Sequence, residues 1–112
     1  MRKTLEQDRA NFCIQKVREI TNNRDGDKYK SHARSLPSFI VSNGLIPTLA
    51  FYKSKKERKD VYDTINDWLR KKGIIKNDAL EELTNADFQT LRLATIEALA
   101  IANWLKRIVE VE

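Results

Sequence analysis

Leu93-Ala94-Thr95-Ile96-Glu97-Ala98-Leu99-Ala100-Ile101-Ala102-Asn103-Trp104-Leu105 carries only Glu97 and Asn103 as strongly polar residues. A helix this apolar around its circumference belongs at the centre of a structure, packed on several sides. The helix is expected to start near Asn85 or Ala86 and to reach about Glu110. Along it Phe88, Leu91, Thr95, Ala98, Ala102, Leu105 and Val109 recur at spacings of three and four, giving one continuous stripe. Leu93, Ile96, Ile101, Trp104 and Ile108 cover much of the rest. The small residues Ala94, Ala98, Ala100 and Ala102 let neighbouring helices come close.

Working outward, the remaining chain also reads as helix. There are only 3 Gly and 2 Pro in 112 residues, too few for the regularly spaced turns of a many-stranded sheet. Thr4 and Gln7 form the capping-box pattern, so a first helix starts there and runs to about Thr21. Its apolar arc holds Leu5, Ala10, Phe12, Cys13, Ile14, Val17 and Ile20, with Glu6 and Arg9 inside that arc and three positions apart. Asn22 to Asp27 reads as a polar loop, and a basic helix follows from about Lys28. Pro37 is expected to interrupt or kink it, because proline lacks the amide proton and restricts the residue before it. Ser38 to Ser42 fits helix or strand by pattern, and Asn43-Gly44 behind it favours a helix end. Pro47 suits the first turn of a third helix reaching about Lys55. The run Lys53 to Lys59 joins it to a fourth helix carrying Val61, Ile65, Trp68 and Leu69, closed by Gly73. Asp60 and Asp63 suit the first turn of that helix, and Arg70, Lys71 and Lys72 its last. A short helix around Asp78 to Leu83 precedes the last one. The expectation is all-α: residues 1–112 as one domain, a bundle of about five to six helices around the long C-terminal one.

Composition narrows the functions. Hydrophobic residues make up 41% and charged residues 33%, which supports a folded core. The single cysteine, Cys13, forms no internal disulfide and reads as a small buried hydrophobe in a reducing compartment. The N-terminus is charged and the most apolar stretch is too short to span a bilayer, so a cytoplasmic protein without membrane contact is expected. His32 is the only histidine, so no two-histidine ribonuclease or histidine metal cluster can be built. One Cys and one His make no zinc site, and three glycines make no phosphate-cradling loop. Asp60, Asp63 and Asp67 lie on one helix at spacings of three and four. They either hold a divalent cation or balance Lys56, Lys59 and Arg70 on a solvated face, the blander reading being preferred. No catalytic residue, metal site or cofactor is assigned.

The positive charge is concentrated. The chain has a net charge of +5, whereas Arg24 to Lys72 alone holds twelve Lys/Arg against six Asp/Glu, a net of +6. The excess lies in Lys28, Lys30 and Arg34, and again in Lys53, Lys55, Lys56, Arg58 and Lys59. Such clusters suit contact with a phosphate backbone, which confers affinity without reading sequence. Tyr29 and Tyr52 beside them either stack on bases or pack in the core. A helical adaptor whose basic face meets an acidic protein, with no RNA, fits the same charges; a small carboxylate–metal nuclease is a more distant alternative.

Residue order adds a resemblance. Leu5-Glu6-Gln7-Asp8-Arg9-Ala10, Lys28-Tyr29-Lys30-Ser31 leading to a proline, Ser42-Asn43-Gly44-Leu45 and Leu49-Ala50-Phe51-Tyr52-Lys53-Ser54-Lys55 resemble the small-subunit family of the type III-B CRISPR RNA-targeting (Cmr) effector complex. So do Ala94-Thr95-Ile96-Glu97-Ala98-Leu99-Ala100 and Asn103-Trp104-Leu105-Lys106-Arg107. The matches run in the family's order over nearly the whole chain, leaving Gly73 to Phe88 unmatched. The resemblance implies an all-helical protein without nuclease activity. It implies several copies stacked along the crRNA-bearing backbone and contacting crRNA and target RNA, other subunits of the complex, and neighbouring copies. Lys30, Arg34, Lys53, Lys55 and Lys56 are the first candidates for RNA-backbone contact, with Lys28, Arg58 and Arg107 next. Arg9 either lines the RNA path or is tied to Glu6 or Glu97 inside the bundle. Trp68 and Trp104 fall at core spacing.

Overall fold

The computed structural model describes residues 3–23 and 26–112, and among them only helices are found. The order is α1 (Leu5–Asn23), α2 (Gly26–Asn43), α3 (Leu45–Lys53), α4 (Lys56–Lys71), α5 (Ala79–Leu83) and α6 (Phe88–Val111). The expected all-α bundle is the observed one. α6 packs against α1, α2 and α4, while α3 lies on α2 and α4 and contacts α5. None of these helices is long and apolar enough to cross a membrane.

Local chemistry sets most of the boundaries. The Thr4 amide donates to Gln7 Oε1 at 2.8 Å and the Gln7 amide to Thr4 Oγ1 at 3.1 Å, a reciprocal capping box that starts α1. Gly44 (φ 86°) ends α2 and Gly73 (φ 73°) follows α4, both in the left-handed region that a side chain disfavours. Asp78 Oδ2 accepts the Glu81 amide at 3.1 Å, and Asp87 Oδ1 accepts the Thr90 amide at 2.8 Å. These two carboxylates start α5 and α6.

Five boundary expectations change. α2 passes through Pro37 without interruption. Leu36, Pro37 and Ile40 are all buried there, and tertiary packing of one face outweighs the roughly 3 kcal/mol that an internal proline costs. The loop expected from Asn22 to Asp27 is mostly helical: α1 extends through Asn23 and α2 begins at Gly26, while Arg24 and Asp25 lie outside the described residues. α3 stops at Lys53 rather than Lys55, and only Ser54 and Lys55 separate it from α4. α6 starts at Phe88, behind its Asp87 cap, rather than at Asn85 or Ala86. Finally, α6 is not enclosed on all sides. Its buried residues are Ala94, Glu97, Ala98, Ile101, Ala102, Leu105, Ile108 and Val109, whereas Phe88, Leu93 and Ile96 are 77%, 50% and 52% exposed.

The stretch after Gly73 joins the common core through Ile75, Ala79 and Leu83 and is held further by polar side chains. Glu82 accepts the amides of Lys76, Asn77 and Asp78 at 2.7–2.8 Å. Asn66 donates to the Asn77 carbonyl and accepts the Ala79 amide. The Tyr62 hydroxyl donates to Asp78 Oδ1 at 2.6 Å and accepts the Leu80 amide at 3.0 Å. The backbone amides hold the Glu82 carboxyl below its ordinary 4.5. Burial would raise Asp78, but hydrogen bonds from Tyr62 and Lys53 bring it below 3.8. Both groups are more acidic folded than unfolded. Their contribution is therefore complete above the ordinary carboxylate values and is lost as the pH falls through the lower, folded ones. Thermal unfolding followed by circular dichroism is expected to show stability declining below about pH 4.5. Glu82→Gln should lower stability at neutral pH and flatten that acid slope.

Candidate nucleic-acid interface

The bundle sorts its charged groups into those bound inside and those left on the surface. Inside, Glu97 is 9% exposed and sits between two helices. Its Oε1 accepts Trp68 Nε1–H at 3.0 Å and its Oε2 accepts Arg9 Nη2 at 2.8 Å. Arg9 Nη1 donates to Glu6 Oε1 at 2.6 Å, and Trp104 Nε1–H donates to Glu6 Oε2 at 2.9 Å. Trp68–Glu97–Arg9–Glu6–Trp104 thus ties α4, α6 and α1 together. Burial works against the Arg9 charge, yet its bonds to Glu97 and Glu6 outweigh burial and raise its pKa. The bond from Arg9, and then that from Trp104, hold Glu6 below the ordinary glutamate value. Of the two roles open to Arg9 from sequence, the structure displays the tie to Glu6 and Glu97, both at once. Trp68 is core, as its spacing indicated, whereas Trp104 is only half-buried.

Both tyrosines beside the basic clusters are packed away. The Tyr29 hydroxyl lies 2.9 Å from Thr64 Oγ1, and Tyr52 donates to the His32 carbonyl at 2.9 Å. Burial pushes the Tyr52 hydroxyl up to about 12. Neither ring offers a face for a base. Burial likewise raises the Cys13 thiol to about 12, which leaves it an inert thiol in the core.

The eight candidate cations do not share one environment. Lys28 and Lys30, two positions apart on α2, point roughly 200° away from one another around the helix. Lys28 is exposed, about one turn before His32. Lys30 is half-buried on the other flank, one turn from Arg34, and its charge acts on the Glu112 carboxylate that Arg18 holds at 2.6 Å. Lys53 donates to Asp78 Oδ2 at 3.0 Å and sits 5.5 Å from the Tyr62 ring centre, so it helps fasten α3 to the start of α5. Arg58 is also fixed: its Cζ is 3.7 Å from the Phe51 ring centre, its Nε donates to the Phe51 carbonyl, and its Nη2 donates to Ser54 Oγ. Arg34, Lys55 and Lys56 are exposed and make no ion pair with another described residue. Arg107 lines a concavity with Glu6, Ala100, Asn103 and Trp104, on a different side of the bundle from the α3–α4 junction.

On the acidic helix face Asp67 pairs with Arg70, as the balancing reading expected, and also with Lys16 at 2.7 Å. Among the described residues no cluster of His, Cys, Asp and Glu is arranged to hold a metal ion. A cationic group that sequence spacing did not single out surrounds the Phe12–Trp68 pair. Lys16 and Lys71 approach the Phe12 ring at 5.7 and 5.8 Å, and Lys72 approaches Trp68 at 4.8 Å. Lys16 comes from α1 and the others from the end of α4, so only the folded chain assembles them.

The molecule is thus a small helical bundle with an internal charge clamp and cations left on its surface. Comparison with known proteins specifies it. Residues 5–112 match the family model for the CRISPR-associated protein Cas_Cmr5. The Cmr subunit Cmr5 of the Thermotoga maritima CRISPR system is 34% identical over 113 aligned residues, covering 97% of this chain and 84% of that protein. A crystal structure of a CRISPR-associated Cmr5 family protein from Thermus thermophilus superimposes with a TM-score of 0.81 at 28% identity, covering 98% of this chain and 97% of the other. The chain belongs to the Cmr5 family, the small-subunit family of the type III-B Cmr complex that the sequence resembled.

The contrast between fastened and free lysines is measurable. Lys53→Met is expected to lower stability by about 0.2–1 kcal/mol, the range for a partly exposed ion pair. Lys55→Ala and Lys56→Ala should leave the midpoint of urea unfolding unchanged. Equal midpoints for all three variants would show that the Lys53–Asp78 pair carries nothing.

Proposed function

We propose that this protein is a non-catalytic small subunit of an RNA-guided type III-B effector complex, working in the cytoplasm in antiviral defence. Copies stack along the crRNA-bearing backbone and contact the crRNA–target RNA duplex through a basic surface. Lys55 and Lys56, with Arg34 and Lys28, supply the mobile charges, while Arg58 supplies an anchored one. Lys30, Lys53 and Arg107 are the remaining phosphate contacts, with part of the charge of Lys30 and Lys53 shared with Glu112 and Asp78. The observation that carries this reading is that Lys55 and Lys56, exposed and without ion-pair partners among the described residues, sit at the α3–α4 junction of a Cmr5 family fold. A phosphate backbone is the polyanion such charges suit, because each contact releases condensed counterions.

The partner side rests on a separate observation. Phe88, Leu93 and Ile96 are exposed close together on α6, and contiguous exposed apolar surface marks places where a protein meets another. This fits contact with neighbouring copies and with other subunits of the complex. The same strip favours the second reading, a protein adaptor with no RNA ligand, whose basic face would meet an acidic protein.

Purification of the tagged protein from its native host separates the two. Recovery of a multisubunit complex carrying short RNAs with a shared repeat-derived end supports the RNA-guided reading; partners without RNA at low salt would promote the adaptor. In binding titrations of that complex with target RNA, changing Lys55 and Lys56 together to Ala should weaken affinity and reduce the slope of log K against log salt by about 1–2 for each copy in contact with the RNA, as expected for two lost phosphate contacts per copy. An unchanged slope would remove these lysines from the interface.

A further inference from the structure

The α3–α4 junction contains a layered stack that charge alone does not explain. Phe39 of α2 and Phe51 of α3 lie face to face, with ring centres 4.5 Å apart and planes inclined by 22°. The opposite side of Phe51 is covered by Arg58, whose guanidinium carbon is 3.7 Å from the ring centre. That distance is van der Waals contact between two flat groups. Two hydrogen bonds then hold the guanidinium in place: Nε to the Phe51 carbonyl and Nη2 to Ser54 Oγ, both at 3.1 Å. No carboxylate pairs with Arg58 among the described residues, and the side chain stays partly open to solvent. Nη1 and the second hydrogen of Nη2 remain available for a ligand.

An arginine that serves only as a diffuse positive charge has no need of this mounting. The usual cost of recruiting an arginine is the rotamer freedom it loses on binding, and here that freedom is already removed by the fold. A guanidinium plane backed by an aromatic ring presents its outer side to another flat, π-bearing group, and unpaired RNA bases stack on arginine planes as they do on aromatic rings. Lys56 and Lys55, two and three positions before Arg58, are exposed for the flanking phosphates, and neither is paired with another described residue.

We infer that the Phe39–Phe51–Arg58 stack is a seat for one unpaired RNA nucleotide, its base lying on the outer face of the Arg58 guanidinium. This rests on the RNA-binding reading above and deepens it, because a surface that senses only backbone charge would be indifferent to bases.

Binding of a short unstructured RNA to the full chain in low salt tests it, alongside a strand of the same length and charge whose residues are abasic. Wild type should prefer the base-bearing strand by about five- to tenfold, the lower range for a single stacked base. Arg58→Lys keeps the charge and loses the plane, so it should bind both strands equally and with about the affinity wild type has for the abasic one. Lys55→Ala should weaken both strands alike, and circular dichroism of each variant monitors helix content. Equal binding of the two strands by wild type, or a preference that survives in Arg58→Lys, overturns the seat while leaving RNA binding intact. Absence of binding to either strand overturns the seat and the isolated chain's RNA binding together.

Discussion

A carboxylate buried between two helices must be met by donors or it will not stay charged there. Glu97 meets Trp68 from α4 and Arg9 from α1, and Arg9 passes the tie on to Glu6 and Trp104. The spacing of the two long helices follows from this. Arg9–Glu97, Cys13–Ile101 and Arg18–Glu112 contacts advance in the same direction along α1 and α6. An ion pair of this kind is a weak source of net stability compared with a well-packed apolar pair, but breaking one partner away is costly. Its value lies in register: a carboxylate with two fixed donors accepts one placement of three helices, where a stripe of Ala, Leu and Ile would tolerate several.

That internal satisfaction separates charges that hold the fold from charges available to a ligand. Arg9, Lys16, Lys53 and Arg70 all have carboxylate partners. Among the described residues Arg34, Lys55 and Lys56 have none, and Arg58 is clamped to the Phe51 ring and carbonyl and to Ser54. A basic chain thus divides its cations by what the fold has already given them. Under the function proposed above, each copy would contribute only a few phosphate contacts, and repetition along the complex would multiply a modest individual affinity.

The parts of the fold legible in the sequence are those governed by local rules. The Thr4–Gln7 box, the helix end at Gly44, the stop near Gly73 and the short helix over Asp78 to Leu83 all depend on residues within a turn of one another. Pro37 escapes such rules because its local penalty competes with burial of Leu36 and Ile40, which only the tertiary structure provides. The α6 stripe is too generous at Phe88 for the opposite reason. Periodicity marks a face as apolar but does not say whether anything covers it. The candidate site shows the same division. Clustering of Lys and Arg is visible in the sequence, whereas the partners that occupy Lys53 (25 positions away at Asp78) and the group of Lys16, Lys71 and Lys72 arise from long-range contacts. Arg58 on Phe51 spans α3, the junction and the first turn of α4, a reach that no single helix period encodes. The Gly73–Phe88 stretch, in which no family motif is legible residue by residue, is fastened through Glu82, Asn66 and Tyr62.

Arg9 acts as a structural clamp, bound at once to Glu6 and Glu97. A double-mutant cycle of Arg9→Met and Glu97→Leu, read by urea unfolding, measures it most directly. Arg9→Met should lose about 3–5 kcal/mol by leaving the Glu97 charge buried, Glu97→Leu should lose less because Arg9 keeps Glu6, and the double variant should lose clearly less than the sum. Additive, small losses, with RNA affinity falling in Arg9→Met while stability holds, would contradict the account and move Arg9 onto the RNA path.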